Sequence, residues 1–172
     1  MNGKAKAGMK KIRVLLAACC LIALAGCQAG VYRVDYTYDV DVGMMFDSGE
    51  DVLDRQRQMA YSLMLMPTCV DMLNSGRFVL RVAEELDKED RSGNLSRRYG
   101  FDELMDAIDA HYEADAMTYI VSVTLASPDD AVVVSDVIAA LSDSFIAEYV
   151  TGSAVTVKLL DAGAPKKTGY TP

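Results

Sequence analysis

The chain is poor in the residues that metal sites and disulfide-stabilised folds depend on. It has one histidine among 172 residues, and three of its four cysteines (Cys19, Cys20 and Cys27) lie before residue 28. Cys69 is then alone in the rest of the chain, which excludes an intramolecular disulfide framework there, so the fold must rest on its core. Because Cys69 lies among leucine and valine residues, a buried, inert thiol is expected.

Basic residues are also scarce beyond Cys27. All 25 acidic residues follow it, whereas five of the 17 basic ones precede it, which leaves 12 basic residues and a net charge of −13. Such a charge excludes nucleic acid as a plausible partner. It also disfavours contact with an anionic bilayer, so any membrane contact has to come from the N-terminal segment.

The N-terminal segment has the layout of an export signal. Lysines and an arginine precede an apolar run at residues 14–25, which ends in the tetrapeptide LAGC at 24–27. This tetrapeptide resembles the lipobox of bacterial lipoproteins, in which the cysteine, here Cys27, is acylated. Twelve apolar residues span about 18 Å as a helix, less than the ~30 Å core of a bilayer, and this favours cleavage. An uncleaved helix over residues 12–32 is the alternative. Either way the remaining chain faces outward from the cell membrane.

No catalytic motif stands out. The sequence contains no phosphate-binding glycine loop, zinc motif or serine-nucleophile elbow. His111 shares a strand face with Asp109 and Glu113, and a solvated polar face explains this spacing without a metal. We therefore predict a protein that is not an enzyme and that has no cofactor.

Periodicity and capping residues predict alternating strands and helices. Ser75 and Ser127 are expected to be N-caps, Pro67 is expected to end a helix, and the helix-facing methionines are expected to fill the core. The predicted elements are a strand at 32–44, helices at 50–66, 68–74, 77–86 and 101–107, a hairpin of strands at 108–114 and 118–126, a helix at 128–151 and a strand at 154–160. Residues 88–98 are expected to form an exposed loop or the end of a helix. In the helix at 128–151, Val134, Ile138, Leu141, Phe145 and Tyr149 are placed on the buried side.

This order of elements predicts an α+β fold. It matches the ferredoxin-like split βαβ arrangement, an antiparallel sheet with helices on one face, here preceded by the membrane or signal segment.

The order of motifs resembles the extracytoplasmic domain of polysaccharide co-polymerases, the chain length determinant (Wzz-like) family, especially the short Gram-positive capsule or exopolysaccharide type. The likeness covers nearly the whole chain. It rests on the membrane segment that leads into a strand, the leucine- and valine-rich stretch at 61–82, and the segments MTYIVSV at 117–123, SPDDA at 127–131 and DAGAP at 161–165. Each motif is degenerate, so their order carries the resemblance.

The resemblance implies a non-enzymatic membrane protein of polysaccharide biosynthesis. Such proteins form homo-oligomers and set the length of capsule, exopolysaccharide or O-antigen made by a partner polymerase. The chain then divides into an export signal or anchor (1–27), a chain-length-determinant-like extracytoplasmic domain (28–165) and a C-terminal tail (166–172). A surface lipoprotein that binds a ligand or another protein is the alternative function.

Two features depart from the family pattern. Family members carry a second transmembrane helix after a proline-rich segment, whereas here only Pro165 and Pro172 mark that segment. Truncation and a different mode of anchoring both remain open. A lipobox is not a family feature.

Overall fold

The computed structural model describes residues 30–43, 52–112, 118–150 and 154–170. Within these ranges the chain forms an α+β fold, as its periodicity predicts. Its elements are β1 (Gly30–Gly43), α1 (Val52–Leu73), α2 (Gly76–Ser92), α3 (Phe101–Ala107), β2 (Ile108–Tyr112), β3 (Thr118–Leu125), α4 (Pro128–Tyr149), β4 (Ala154–Ala162) and β5 (Lys166–Tyr170).

The strands form one antiparallel sheet in the order β2-β3-β1-β4. The predicted hairpin of β2 and β3 is confirmed, with Ala110 opposite Val121. β5 pairs with the first residues of β1 on the same side as β4, so β4 and β5 together follow one flank of the long first strand.

The alternation in β1 decides which face of the sheet is buried. Val34, Tyr36, Tyr38 and Val40 are buried, whereas the residues between them are partly exposed. Side chains of a strand point alternately to its two faces, so this pattern places the core on one side of β1. α1 and α4 both contact β1 there and complete the core.

The two predicted helix N-caps are confirmed. The Ser75 hydroxyl accepts a hydrogen bond from the backbone N–H of Phe78 at 3.3 Å, and Ser127 accepts one from the N–H of Asp130 at 3.2 Å. Each bond satisfies a donor that the first turn of a helix leaves free. The short helix α3 has the predicted bounds.

The prediction that Pro67 ends a helix is wrong. Pro67 lies inside α1, which continues to Leu73. A proline there removes one backbone hydrogen bond and costs about 3 kcal/mol. Burial of Met66, Cys69 and Leu73 on both sides of it outweighs that cost.

The prediction of an exposed loop or a helix end at 88–98 is confirmed, because α2 runs to Ser92 and neither helix nor strand covers residues 93–98. Gly93 ends the helix with a left-handed backbone (φ 77°), and its N–H donates to the Asp90 carbonyl at 3.0 Å. The charged residues that suggested a loop form the solvated side of a helix, with Lys88 paired to Glu85.

Some long apolar side chains of α1 do not pack as the methionine pattern predicts. Met59 and Met64 are exposed, as is Leu63, whereas Met66 is buried. Among the side chains of α1 that the structure describes, Ser62 is the first buried one, and those described at 56–60 are exposed.

Two buried tyrosines stack at the centre of the core. The rings of Tyr38 and Tyr119 are 5.1 Å apart and inclined by only 9°, and both side chains are almost inaccessible to water. Neither hydroxyl has a hydrogen-bond partner among the described residues. By contrast, the hydroxyl of Tyr36 on the same strand donates to Asp136 at 2.5 Å.

We expect Tyr119→Phe to raise the free energy of unfolding by about 1 kcal/mol, because it removes a buried hydroxyl that gains no hydrogen bond. Tyr36→Phe is the matched control and should lower it by a similar amount, since its hydroxyl is bonded. Urea unfolding followed by circular dichroism measures both. A loss of stability in Tyr119→Phe would contradict the prediction.

The export segment, including Cys27, lies outside the described residues. Among the helices that the structure does describe, none combines the length and apolar character needed to cross a bilayer.

Candidate functional site

The two ends of the described chain meet at one end of the sheet. Gly30, at the start of β1, pairs with Tyr170 in β5, and Val31 pairs with Gly169. The strand at 166–170 is not predicted by the sequence, because its polar residues carry no alternating pattern. We call this the joined end, defined by residues 30–33 and 166–170.

A close backbone contact holds the corner between β4 and β5 against β1. The N–H of Gly163 donates to the carbonyl oxygen of Asp35 at 3.0 Å. A Cβ atom at position 163 would lie 2.3 Å from that oxygen, so only glycine fits. Pro165, predicted to mark the family's proline segment, lies exposed just after this corner, whereas Pro172 lies outside the described residues.

A charged network covers the sheet face opposite the core, above the joined end. The Arg33 guanidinium donates to Asp35 at 2.6 Å and to the hydroxyl of Ser122 at 2.7 Å, and that hydroxyl donates to Asp35 at 2.8 Å. Burial alone would raise the pKa of Asp35, but the bonds from Arg33 and Ser122 and the charge of Lys166 outweigh it and lower that pKa. The network ties β1 to β3.

His111 and Asp109 lie on that same face, as their spacing predicts. The His111 Nδ1 and an Asp109 carboxylate oxygen are 3.3 Å apart, and Asp109 is largely exposed. Glu113, the third residue of the suggested cluster, lies outside the described residues. No group of three or more histidine, cysteine, aspartate or glutamate side chains in the described ranges is arranged to hold a metal ion.

Cys69 is buried, as expected for a thiol among apolar neighbours. Burial raises its pKa to about 11, which keeps the thiol protonated at neutral pH.

Asp130 is the residue that sequence reasoning missed. It lies at the start of α4 and is only 1% exposed, whereas its neighbour Asp129 is exposed. The Ser96 N–H donates to one carboxylate oxygen at 2.9 Å, and the Ser96 and Tyr99 hydroxyls donate to the other, Tyr99 at 2.6 Å. The SPDD sequence indicated the helix start, but nothing near it in sequence indicated these partners.

This arrangement fastens the connection between α2 and α3 to α4. Burial by itself would raise the pKa of Asp130, but the hydrogen bonds from Ser96, Tyr99 and Ser127 lower it below its ordinary value. Burial and the bond to Asp130 raise the pKa of Tyr99 to about 12.

Two surface clefts border α4. One, of about 460 Å³, lies between α2 and α4 and is acidic, with Glu85, Glu89 and Asp136 in its wall. The other, of about 350 Å³, lies at the opposite end of α4 and includes Tyr149. Tyr149 was predicted to be buried, but it is 43% exposed, because it lies in the last turn of the helix.

No protein-family model, curated protein or solved structure matches this chain.

Proposed function

We propose that this protein is a non-enzymatic, membrane-anchored regulator of polysaccharide chain length, of the chain length determinant type. The sheet order β2-β3-β1-β4, with antiparallel neighbours and helices between β1 and β2 and between β3 and β4, supports a ferredoxin-like split βαβ domain. This is the arrangement that the order of the predicted elements indicates. Because proteins with one fold can have many functions, the proposal rests on how the domain would be attached to the membrane.

The joined end is the single observation that favours this function most. Gly30 lies only three residues after Cys27, the last residue of the export segment. In the sheet, Gly30 pairs with Tyr170 of β5. A domain whose two ends leave from one point can stand on a membrane with its long axis outward. This suits a scaffold that holds a growing chain beside its polymerase.

Such a scaffold acts by position and not by a reaction. It would face outward from the cell membrane, assemble as a homo-oligomer and contact the polymerase, the glycan or both. The net charge of −13 beyond Cys27 keeps the domain away from anionic lipid headgroups, so an anchoring segment, and not the surface of the domain, would hold it at the membrane.

The test is the length distribution of surface polysaccharide on a gel, in a strain without this gene beside its parent. We expect the modal length to be lost or shifted, and the full-length gene to restore it. A plasmid encoding residues 1–29 alone is the matched control and should not restore it. An unchanged distribution in the deletion strain would overturn the proposal.

The LAGC tetrapeptide at 24–27 favours a second function, a surface lipoprotein that binds a small ligand or another envelope protein. Lipid attachment at Cys27 would anchor it durably. An unchanged polysaccharide ladder would favour this function over the first.

A further inference from the structure

The cleft at the end of α4 is built from three helices. Its wall includes Thr68, Asp71 and Met72 of α1, Arg77 of α2, and Phe145 and Tyr149 of α4. The cleft is open to solvent and about 350 Å³ in volume, which is room for a sugar-sized group. We call it the distal cleft.

The distal cleft lies far from the joined end. α4 ends at Tyr149, and β4 then begins at Ala154, opposite Gly43 at the far end of β1. β1 has 14 residues and is therefore about 45 Å long. If the joined end stands at the membrane, the distal cleft faces away from it.

The Tyr149 ring is an exposed aromatic surface that is already held in place. The Phe145 ring packs against it with centres 5.0 Å apart, and the Arg77 guanidinium carbon lies 5.5 Å from its centre. Even so, 43% of the residue remains exposed. A ring fixed in this way loses little conformational freedom when a ligand stacks on it.

Two charged groups beside that ring have no ion-pair partner among the residues that the structure describes. Arg33, Arg81, Arg97 and Arg98 each pair with a carboxylate. Arg77 has no carboxylate partner among the described residues, and Asp71, which lines the same cleft, makes no hydrogen bond to any of them. A planar set of donors and a free acceptor therefore border one aromatic ring.

We propose that the distal cleft binds a hexopyranose residue of a glycan chain, which rests on the proposed function. A pyranose ring has an apolar face of C–H groups and a rim of hydroxyls that both donate and accept. The apolar face of the sugar would stack on the Tyr149 ring. Arg77 would donate hydrogen bonds to sugar oxygens, and Asp71 would accept hydrogen bonds from sugar hydroxyls. A purely apolar ligand would leave both charges unpaired, and a simple anion would be repelled by Asp71.

The test uses the full chain in detergent micelles and oligosaccharides made by partial hydrolysis of the strain's own surface polysaccharide. Isothermal titration calorimetry measures the Kd. Tyr149→Ala should weaken binding about tenfold, and Arg77→Ala should weaken it too, whereas Tyr149→Phe keeps the ring and should bind as the wild type does. Tyr112→Ala is the matched control, because Tyr112 is also 43% exposed but lies on β2. Circular dichroism confirms that each variant is folded.

Binding by the wild type that is lost in Tyr149→Ala and kept in Tyr112→Ala supports the inference. No binding by the wild type, or equal binding by Tyr149→Ala, overturns it. If the polysaccharide ladder changes in the deletion strain while the oligosaccharides do not bind, the inference fails and the proposed function stands. If they bind at Tyr149 while the ladder is unchanged, the cleft stands and the proposed function fails.

Discussion

Replacing Asp130 with asparagine is expected to lower the free energy of unfolding by about 3 kcal/mol, since hydrogen bonds to a buried charged group are among the strongest single contacts in a protein. The Ser96 N–H, the Ser96 hydroxyl and the Tyr99 hydroxyl all donate to the carboxylate. An asparagine amide offers one acceptor oxygen in place of two and places its own donors among these groups. The loop between α2 and α3 should loosen from α4 as a result.

Urea unfolding of wild type, Asp130→Asn and Asp129→Asn measures this effect. Asp129 is one residue earlier in the same helical turn but is exposed, so its substitution should cost no more than about 0.5 kcal/mol. Equal losses in the two variants would show that the helix dipole, and not the buried network, accounts for the effect.

The same carboxylate sets part of the acid sensitivity of the fold. The pKa of Asp130 is lower in the folded state than in the unfolded chain. Its ionised carboxylate therefore contributes fully to the free energy of unfolding at pH values above the unfolded pKa of about 4. That contribution is lost as the pH falls through the lower folded pKa. We therefore expect the difference in stability between wild type and Asp130→Asn to shrink below about pH 4, when unfolding is measured across pH.

Gly163→Ala is the second substitution with a large expected effect. The added Cβ would meet the Asp35 carbonyl oxygen at 2.3 Å, which forces the corner between β4 and β5 away from β1. The hydrogen bond from the Gly163 N–H to that oxygen would be lost with it. We expect a loss of about 3 kcal/mol, typical of a clash with backbone together with a broken hydrogen bond.

Gly169→Ala is the matched control for this prediction. Gly169 lies in β5, and a Cβ atom there would meet nothing within 4 Å, so the variant should be as stable as the wild type or slightly more so. The midpoints of urea unfolding give the comparison. Similar midpoints for the two variants would mean that the corner adjusts without cost and does not hold β5 in place.

The sequence by itself determined the elements whose signals are local. The period of two in β1 placed Val34, Tyr36, Tyr38 and Val40 on the buried face. Ser75 and Ser127 marked helix starts because an N-cap bonds a donor only three residues away. From these signals the order of strands and helices as far as β4, and with it the α+β class, could be predicted, as could the shared face of Asp109 and His111.

Only the tertiary structure decided the features that depend on distant residues. Burial around Pro67 outweighs the cost of a proline in a helix, which local propensity alone forbids. β5 exists because residues at the other end of the chain, in β1, pair with it. The exposure of Tyr149 depends on where α4 ends relative to its neighbours.

Asp130 shows the physical reason most directly. Its partners Ser96 and Tyr99 lie 34 and 31 residues away in sequence, so no local pattern can indicate that this acid, and not Asp129, is buried. Local sequence specifies backbone preferences worth a few tenths to about one kcal/mol per residue. Burial and buried hydrogen bonds are worth more, and they are set by which segments the fold brings together.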